Sequence, residues 1–342
     1  MSMSTKIKDQ FVRIAVIGCG DWGRNIALTL HRLGSLYALG DQNLSSSKAI
    51  QCSKDTNVDL VPLDQILNDE KIQGVCIATP PHTHFDIAKE ALEAGKNVFV
   101  EKPLVLSIAE GKALETLAKE KGLILMVGHL LRYHKAFQIL EEWVKGGKLG
   151  SILHINTSRK NLGKIYPHDD VIWDLAPHDL SMILALIPHP VESVLATGAN
   201  YAVPRLADEA LLSLKFENSS QQAFISLSRL SPFKEQKVTV VGTKGMAVLD
   251  DTLPQDRKLT FFNSHVIQES PDHFSIHQDR VGVPELYEAQ NPLDAEMTHF
   301  IDCIQHGKAP RTPAQEAIQI LSIINAAQQS IKAGQWAFCF CY

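Results

Sequence analysis

Short apolar runs recur along the first third of the chain, each closed by glycine, proline or a charge. Val12–Ile17, Leu36–Leu39, Val75–Ala78, Val98–Val100 and Leu123–Val127 read as buried strands. Between the first two, Ile26, Leu30 and Leu33 take helical spacing up to Gly34, a residue suited to the position just past a helix. Residues 45–52 and 84–94 are also predicted helical, the second stopped by Gly95. Ser107-Ile-Ala-Glu110 is a capping box that opens a helix to about Lys121, with Gly122 as its stop. Strand and helix alternate throughout residues 8–128, which predicts a doubly wound parallel sheet with helices on both faces.

The pattern then changes. Residues 137–145 and 170–187 read as helices, and 151–158 alternates like a half-buried strand. Leu211–Phe216, Gln222–Leu227, Lys237–Val241, Ala247–Asp250 and Leu259–Phe262 are short, alternating and separated by turn residues. They predict a mainly antiparallel open sheet, followed by helices over 292–306 and 314–333. The fold class expected is α/β, with an N-terminal domain over 8–128 and a C-terminal α+β domain over 129–335. An open sheet face invites a second copy of the chain, so a homodimer or homotetramer is expected.

Composition narrows the function classes. At 342 residues with formal net charge -5, the chain offers no basic surface for nucleic acid or anionic membrane. Residues 1–10 lack the apolar core of a signal peptide, and no run of about 18 apolar residues exists. The six cysteines are scattered, as expected of reduced thiols in a cytoplasmic protein. Cys339-Phe-Cys341 could bind a metal, but a lone C-x-C near a terminus is weak evidence, and His168-Asp-Asp170 with His178 has no recognised ligand spacing, so no metal is expected.

Chemistry concentrates in four segments. In Gly18-x-Gly20-x-x-Gly23 the first glycine permits a tight turn, the second a close pyrophosphate, and the third helix–strand packing. Asp41 follows Gly23 by 18 residues at the end of a predicted strand, placed to accept from both ribose hydroxyls. Its charge would repel a 2′-phosphate and Gln42 brings no cation, so NAD is expected over NADP. Lys48 is the residue most able to upset that preference. Thr79-Pro80-Pro81-x-x-His84 shapes a loop at a strand's carboxyl end. There His84 either faces the cofactor or satisfies local backbone groups. Glu101-Lys102-Pro103 closes the strand at Val98–Val100, where proline restricts the lysine to extended conformations. The alternative is a solvated surface turn. Asp174 and His178 are four residues apart, so a helix puts both on one face. Together they can position a hydroxyl and accept its proton. On these residues alone, a capping Asp174 and a satisfied core His178 is the simpler reading. Pro177 between them predicts a kink or a first-turn placement.

In this order, Ala78-Thr-Pro-Pro-His-Thr-His84, Gly95-Lys-Asn-Val-Phe-Val-Glu-Lys-Pro103, Asp174-Leu-Ala-Pro-His178 and Pro292-Leu-Asp-Ala-Glu-Met-Thr-His-Phe300 resemble the Gfo/Idh/MocA family of oxidoreductases. The resemblance spans about residues 11–335 and implies a Rossmann-type first domain. It implies cofactor contacts from Gly18, Gly20, Asp21, Trp22, Gly23, Asp41, Thr79, Pro80, His84, Glu101 and Lys102. Lys102 would bind the reacting oxygen beside the nicotinamide, His178 would act as acid/base, and Asp174 would orient the substrate hydroxyl or the histidine. Which of Lys102 and His178 moves the proton stays open. A cis Lys102–Pro103 bond is also implied. Arg159-Lys-Asn161-Leu-Gly163 and Val171–Ser181 look similar to nucleotide-sugar 3-dehydrogenases, which oxidise UDP-N-acetylglucosamine-type sugars for lipid A or surface polysaccharide synthesis. Arg159, Asn161 and Lys164 would then hold the substrate, an arginine being suited to clamp a diphosphate. The alternatives are a solvated strand end at those residues, a free sugar or polyol as substrate, and a non-catalytic NAD-binding sensor.

Overall fold

The computed structural model describes residues 12–163, 165, 170–279 and 281–339. Of the positions singled out above, Lys164, His168, Asp169 and Cys341 lie outside the described residues. In chain order the first elements are β1 (Ile14–Ile17), α1 (Asp21–Arg32), β2 (Leu36–Gly40), α2 (Ser47–Thr56) and α3 (Leu63–Asn68). They continue as β3 (Gly74–Ile77), α4 (His84–Glu93), β4 (Asn97–Glu101), α5 (Ile108–Lys121) and β5 (Leu125–Gly128). Then come α6 (Lys135–Lys145), β6 (Ile152–Leu162), α7 (Val171–Leu186), β7 (Val191–Ala199), β8 (Glu209–Phe216), β9 (Gln222–Ser228) and β10 (Leu230–Gly242). The chain proceeds through β11 (Met246–Asp250), β12 (Leu259–Phe262), β13 (Ser264–Ser270), β14 (His273–Gln278) and β15 (Val283–Pro284). It ends with α8 (Pro292–His306), α9 (Ala314–Ala333) and β16 (Ala337–Phe338).

Contacts group these elements into two compact units. The first takes the described residues up to Tyr133 together with Asn291–Ile318. Its five strands are all parallel, in the order β2-β1-β3-β4-β5. The four residues of β1 are fully buried because both sheet faces are covered, which explains the unbroken apolar run. The strand order reverses between β1 and β3, and a crevice opens at the carboxyl ends of strands at such a reversal. The capping box at Ser107 and Glu110 is present, and Gly122 ends α5 in the left-handed region. Helix α8 returns to this unit, although the linear sequence division put it in the second domain. The reason is apolar: Leu293, Met297 and Phe300 join the core around β1 and β4, with the Phe300 ring 5.9 Å from Phe99.

The second unit takes His134–Gln290 and the residues from Gln319. Nine strands form one sheet in the order β15-β12-β11-β10-β6-β9-β8-β7-β16. All neighbours are antiparallel except β6 and β9. Ile155, Leu212, Leu214, Ile225, Val238 and Val240 are buried, whereas Leu153, Leu211 and Phe224 are exposed. Helix α7 packs on β6, β8 and β9.

Three features differ from the sequence expectation. Strand β6 runs on to Leu162 because Arg159 pairs with Gln236 of β10 and Leu227 of β9. Tertiary pairing overrides the weak strand propensity of Arg-Lys-Asn. Pro177 is the seventh residue of an uninterrupted α7, not a first-turn residue. Helix α3, strands β7 and β16 and the β13–β14 hairpin were not anticipated at all. Among the described residues, no helix is long and apolar enough to cross a membrane.

Candidate active site

The glycine turn leaves β1 at Gly18, whose φ of +97° suits only glycine. A Cβ on Gly18 would stand 2.7 Å from the Ala78 carbonyl group, and one on Gly23 only 1.8 Å from the Gly18 carbonyl oxygen. These two glycines let α1, β1 and the loop after β3 touch. Gly20 differs. A Cβ there would meet nothing within 4 Å, so the protein itself places no demand for glycine at that position. The demand fits a ligand approaching the backbone. Gly20 is also the N-cap of α1 and makes no side-chain cap. The opening turn of such a helix presents N–H groups suited to a pyrophosphate.

Asp41 directly follows β2 beside this turn. Its Oδ2 accepts from the Cys19 N–H at 2.8 Å, and its Oδ1 accepts from the Asn43 N–H at 2.9 Å. Each carboxylate oxygen has a second lone pair with which to accept from a ribose hydroxyl. Lys48 Nζ lies 2.8 Å from Asp21 Oδ1, so the cation that threatened the NAD preference has an anionic partner. These residues fit NAD: a glycine cradle, a helix N-terminus and an oriented carboxylate.

The carboxyl ends of β3, β4 and β5 supply the next group. Trp22 Nε1 donates to Glu101 Oε1, tying α1 to the end of β4. Glu101 Oε2 accepts from the Lys102 N–H at 3.2 Å. The Glu101 carboxyl fills the space that a Cβ on Gly128 would take. Burial pushes Glu101 up to about 7, against the Trp22 and Lys102 hydrogen bonds. The Lys102–Pro103 peptide bond is cis. Thr79 Oγ1 accepts from the Thr83 hydroxyl at 2.7 Å, and Pro80 precedes the short turn that leads into α4. Of the two roles expected for His84, the hydrogen bonds fit the satisfaction of local backbone groups. His84 is 1% exposed, with Nδ1 2.8 Å from the Pro103 carbonyl and Nε2 2.9 Å from the Thr79 carbonyl. It therefore braces the Thr79 loop against the Lys102–Pro103 turn, with both ring nitrogens on backbone carbonyls. Its burial holds the imidazole below its ordinary range, although the carbonyls oppose this.

Two buried groups of this unit escaped sequence reasoning. His129 follows β5 directly, is 2% exposed, and has no partner for either ring nitrogen among the described residues. Burial first, then Arg132 and Lys102, push it down to about 3. Glu296 of α8 is wholly buried, and burial with the Glu101 charge raises it well above the usual carboxyl range. His129 was discoverable, because it ends a parallel strand as Lys102 nearly does. Glu296 lies within the Pro292–Phe300 segment that carries the family resemblance, but its burial was not readable from that segment.

The second unit holds the other candidates. Asp170, not Asp174, caps α7, accepting from the Ile172 and Trp173 N–H groups at 3.0 and 2.9 Å. The capping alternative for Asp174 is thereby removed. Asp174 and His178 stand one turn apart on α7, each partly exposed. Arg159 departs from expectation. Its Nε and Nη2 donate to Asp179 Oδ2 and Oδ1 at 2.9 and 3.1 Å, with the pair almost fully buried. A guanidinium spent on a bidentate internal pair is not a diphosphate clamp. Asn161 lies near the end of β6 with its carboxamide over Gly163. Arg229, which the sequence did not flag, is buried and places Nη2 3.3 Å from Asp174 Oδ2. Among the described residues no group of three or more His, Cys, Asp or Glu could hold a metal ion.

This arrangement agrees with the comparisons to known proteins. Residues 12–129 match an oxidoreductase family described as an NAD-binding Rossmann fold, and residues 141–338 match its C-terminal alpha/beta domain. The chain belongs to the Gfo/Idh/MocA oxidoreductase family, and its cofactor is NAD. A scyllo-inositol 2-dehydrogenase (NAD(+)) of Bacillus subtilis is 27% identical over 94% of this chain and 95% of its own length. A UDP-N-acetylglucosamine 3-dehydrogenase of Acidithiobacillus ferrooxidans is 32% identical over 61% of this chain and 64% of its own length. The solved structure of UDP-N-acetylglucosamine 3-dehydrogenase GnnA from that organism superposes with a TM-score of 0.81 at 25% identity. It covers 94% of this chain and 98% of the other.

Two outcomes are expected. Asp41→Asn weakens NAD by at least about tenfold in a binding titration and narrows its advantage over NADP, since a charged acceptor contributes roughly 1.5–3 kcal/mol. The second concerns acid stability. The unfolded chain protonates His129 near 6.5 and the folded protein only near 3. The stability this contributes is complete above about pH 6.5 and lost as pH falls toward 3. His129→Leu should therefore lose about 2 kcal/mol less than the wild type between pH 7 and pH 5 in denaturant titrations.

Proposed function

We propose that this oxidoreductase oxidises a secondary hydroxyl of a sugar, with the 3-hydroxyl of UDP-N-acetylglucosamine or a related UDP-sugar as its substrate. The observation that carries the chemistry is the Asp174–His178 pair on one face of α7, with Asp170 taking the cap. NAD, when bound, supplies the hydride acceptor. Lys102 hydrogen-bonds the reacting oxygen and stabilises the charge that builds there as the C–H bond breaks. His178 takes the hydroxyl proton, and Asp174 orients the hydroxyl toward it. The alcohol becomes a ketone, one hydride leaves with the cofactor, and one proton leaves through the imidazole. A 3-keto sugar of this kind is the substrate a transaminating enzyme requires, which suits amino-sugar synthesis for a surface glycolipid or polysaccharide.

The UDP-sugar reading draws on the two Acidithiobacillus comparisons. A second reading, a free polyol such as an inositol, is favoured by the full-length similarity to scyllo-inositol 2-dehydrogenase. The internal Arg159–Asp179 pair also removes one cation that a diphosphate would need. We further propose that the functional division falls near residues 128/129, with α8 serving the cofactor unit.

The test is a panel of UDP-N-acetylglucosamine, other UDP-sugars, inositols and free sugars, each with NAD. NADH formation is followed with a carbonyl reagent present to draw off the ketone. The primary reading expects turnover with the UDP-sugar. Turnover with inositols alone transfers the assignment to the second reading, and no turnover with any CH–OH substrate sinks both. Lys102→Met and His178→Ala should each lower kcat by roughly 10²–10⁴ while NAD still binds.

A further inference from the structure

Arg229 lies between the end of β9 and the start of β10 and is only 2% exposed. A guanidinium at that depth needs acceptors and a counter-charge. Its Nη2 donates to the Asp170 carbonyl oxygen at 2.9 Å and stands 3.3 Å from Asp174 Oδ2. Its main chain is pinned on both sides. The Arg229 N–H donates to the Asp208 carbonyl at 2.9 Å, and its own carbonyl accepts from the Gly163 N–H at 3.1 Å. Asp208 is itself buried and accepts from the Tyr201 and Ala202 N–H groups at 2.7 Å each. The arginine therefore projects from a fixed base.

Two buried arginines thus hold two carboxylates on α7 around His178. Arg159 holds Asp179, whose side chain is 0% exposed, so that pair belongs to the interior. Arg229 holds Asp174, whose side chain is 30% exposed, so that pair runs from the interior to the surface. A buried cation supporting a partly exposed carboxylate sets the direction in which that carboxylate faces outward.

We propose that Arg229 is a positioning residue for the dehydrogenase reaction. It fixes the Asp174 carboxylate from beneath, so that Asp174 meets the substrate hydroxyl in one orientation. This rests on the reading of Asp174 given under the proposed function. The competing account is that Arg229 only anchors the start of α7 through the Asp170 carbonyl.

A double-mutant cycle separates the two. Full-length Arg229→Met, Asp174→Asn and the double variant are assayed with NAD and the panel substrate that supports turnover. NAD affinity and thermal melting are recorded for each. Arg229→Met should lower kcat about ten- to a hundredfold, with NAD affinity within about twofold of wild type. In the Asp174→Asn background it should cost less than about threefold more, and Arg229→Lys should recover part of the loss. Full turnover in Arg229→Met, or an equal loss with and without Asp174, overturns the proposal. Full turnover in Asp174→Asn overturns the reading of Asp174 itself, and this inference with it. If Arg229→Met does not fold, the same cycle is read with Arg229→Lys.

Discussion

The cofactor unit is organised around one close contact, the approach of Gly23 to the Gly18 carbonyl. A single Cβ at Gly23 would stand 1.8 Å from that oxygen. Because the contact is possible, α1 can start at Asp21, soon after β1 ends at Ile17, with Gly20 as its N-cap. Trp22 can then reach Glu101, and Asp41 can hold the Cys19 N–H. Each later feature of the cradle inherits its position from this turn. Gly18, pressed against Ala78, extends the same constraint to the loop carrying Thr79.

The second organising theme is the handling of charge at the carboxyl ends of the strands. Glu101, Glu296 and His129 are all pushed toward their neutral forms by burial. At this end of the sheet burial therefore works against the charged forms of all three groups, with the Trp22 and Lys102 hydrogen bonds opposing it at Glu101. The second unit uses the opposite device. Arg159 and Arg229 stay paired with Asp179 and Asp174, so the carboxylates flanking His178 are set by internal cations.

Much of this was legible in the sequence, and for identifiable reasons. The parallel sheet was readable because strands buried on both faces are continuous apolar runs, as in Ile14–Ile17. The glycine turn and Asp41 were readable because their spacing reports backbone geometry directly. Side-chain allegiance was not. Arg159 looked like a substrate clamp, yet its partner Asp179 comes from another element 20 residues on. His84 looked close to the cofactor, and is close to the loops that shape its site, but both nitrogens face carbonyls. Arg229 and Glu296 carry no local signal of their burial, since only the packing of distant strands and helices buries them. Strand β7, whose burial alternates only in part, and the largely exposed hairpin β13–β14 lacked the pattern that burial imposes elsewhere.

Gly20 offers the cleanest separation of fold from function. Its φ of -65° is open to any residue, and a Cβ there touches no protein atom within 4 Å. The decisive measurement is a calorimetric NAD titration of Gly20→Ala beside the wild type, with melting temperatures for both. A cradle built for a pyrophosphate predicts nearly unchanged melting and at least about tenfold weaker NAD, because close backbone approach is what this glycine provides. Undiminished NAD affinity in a folded Gly20→Ala protein would contradict the account.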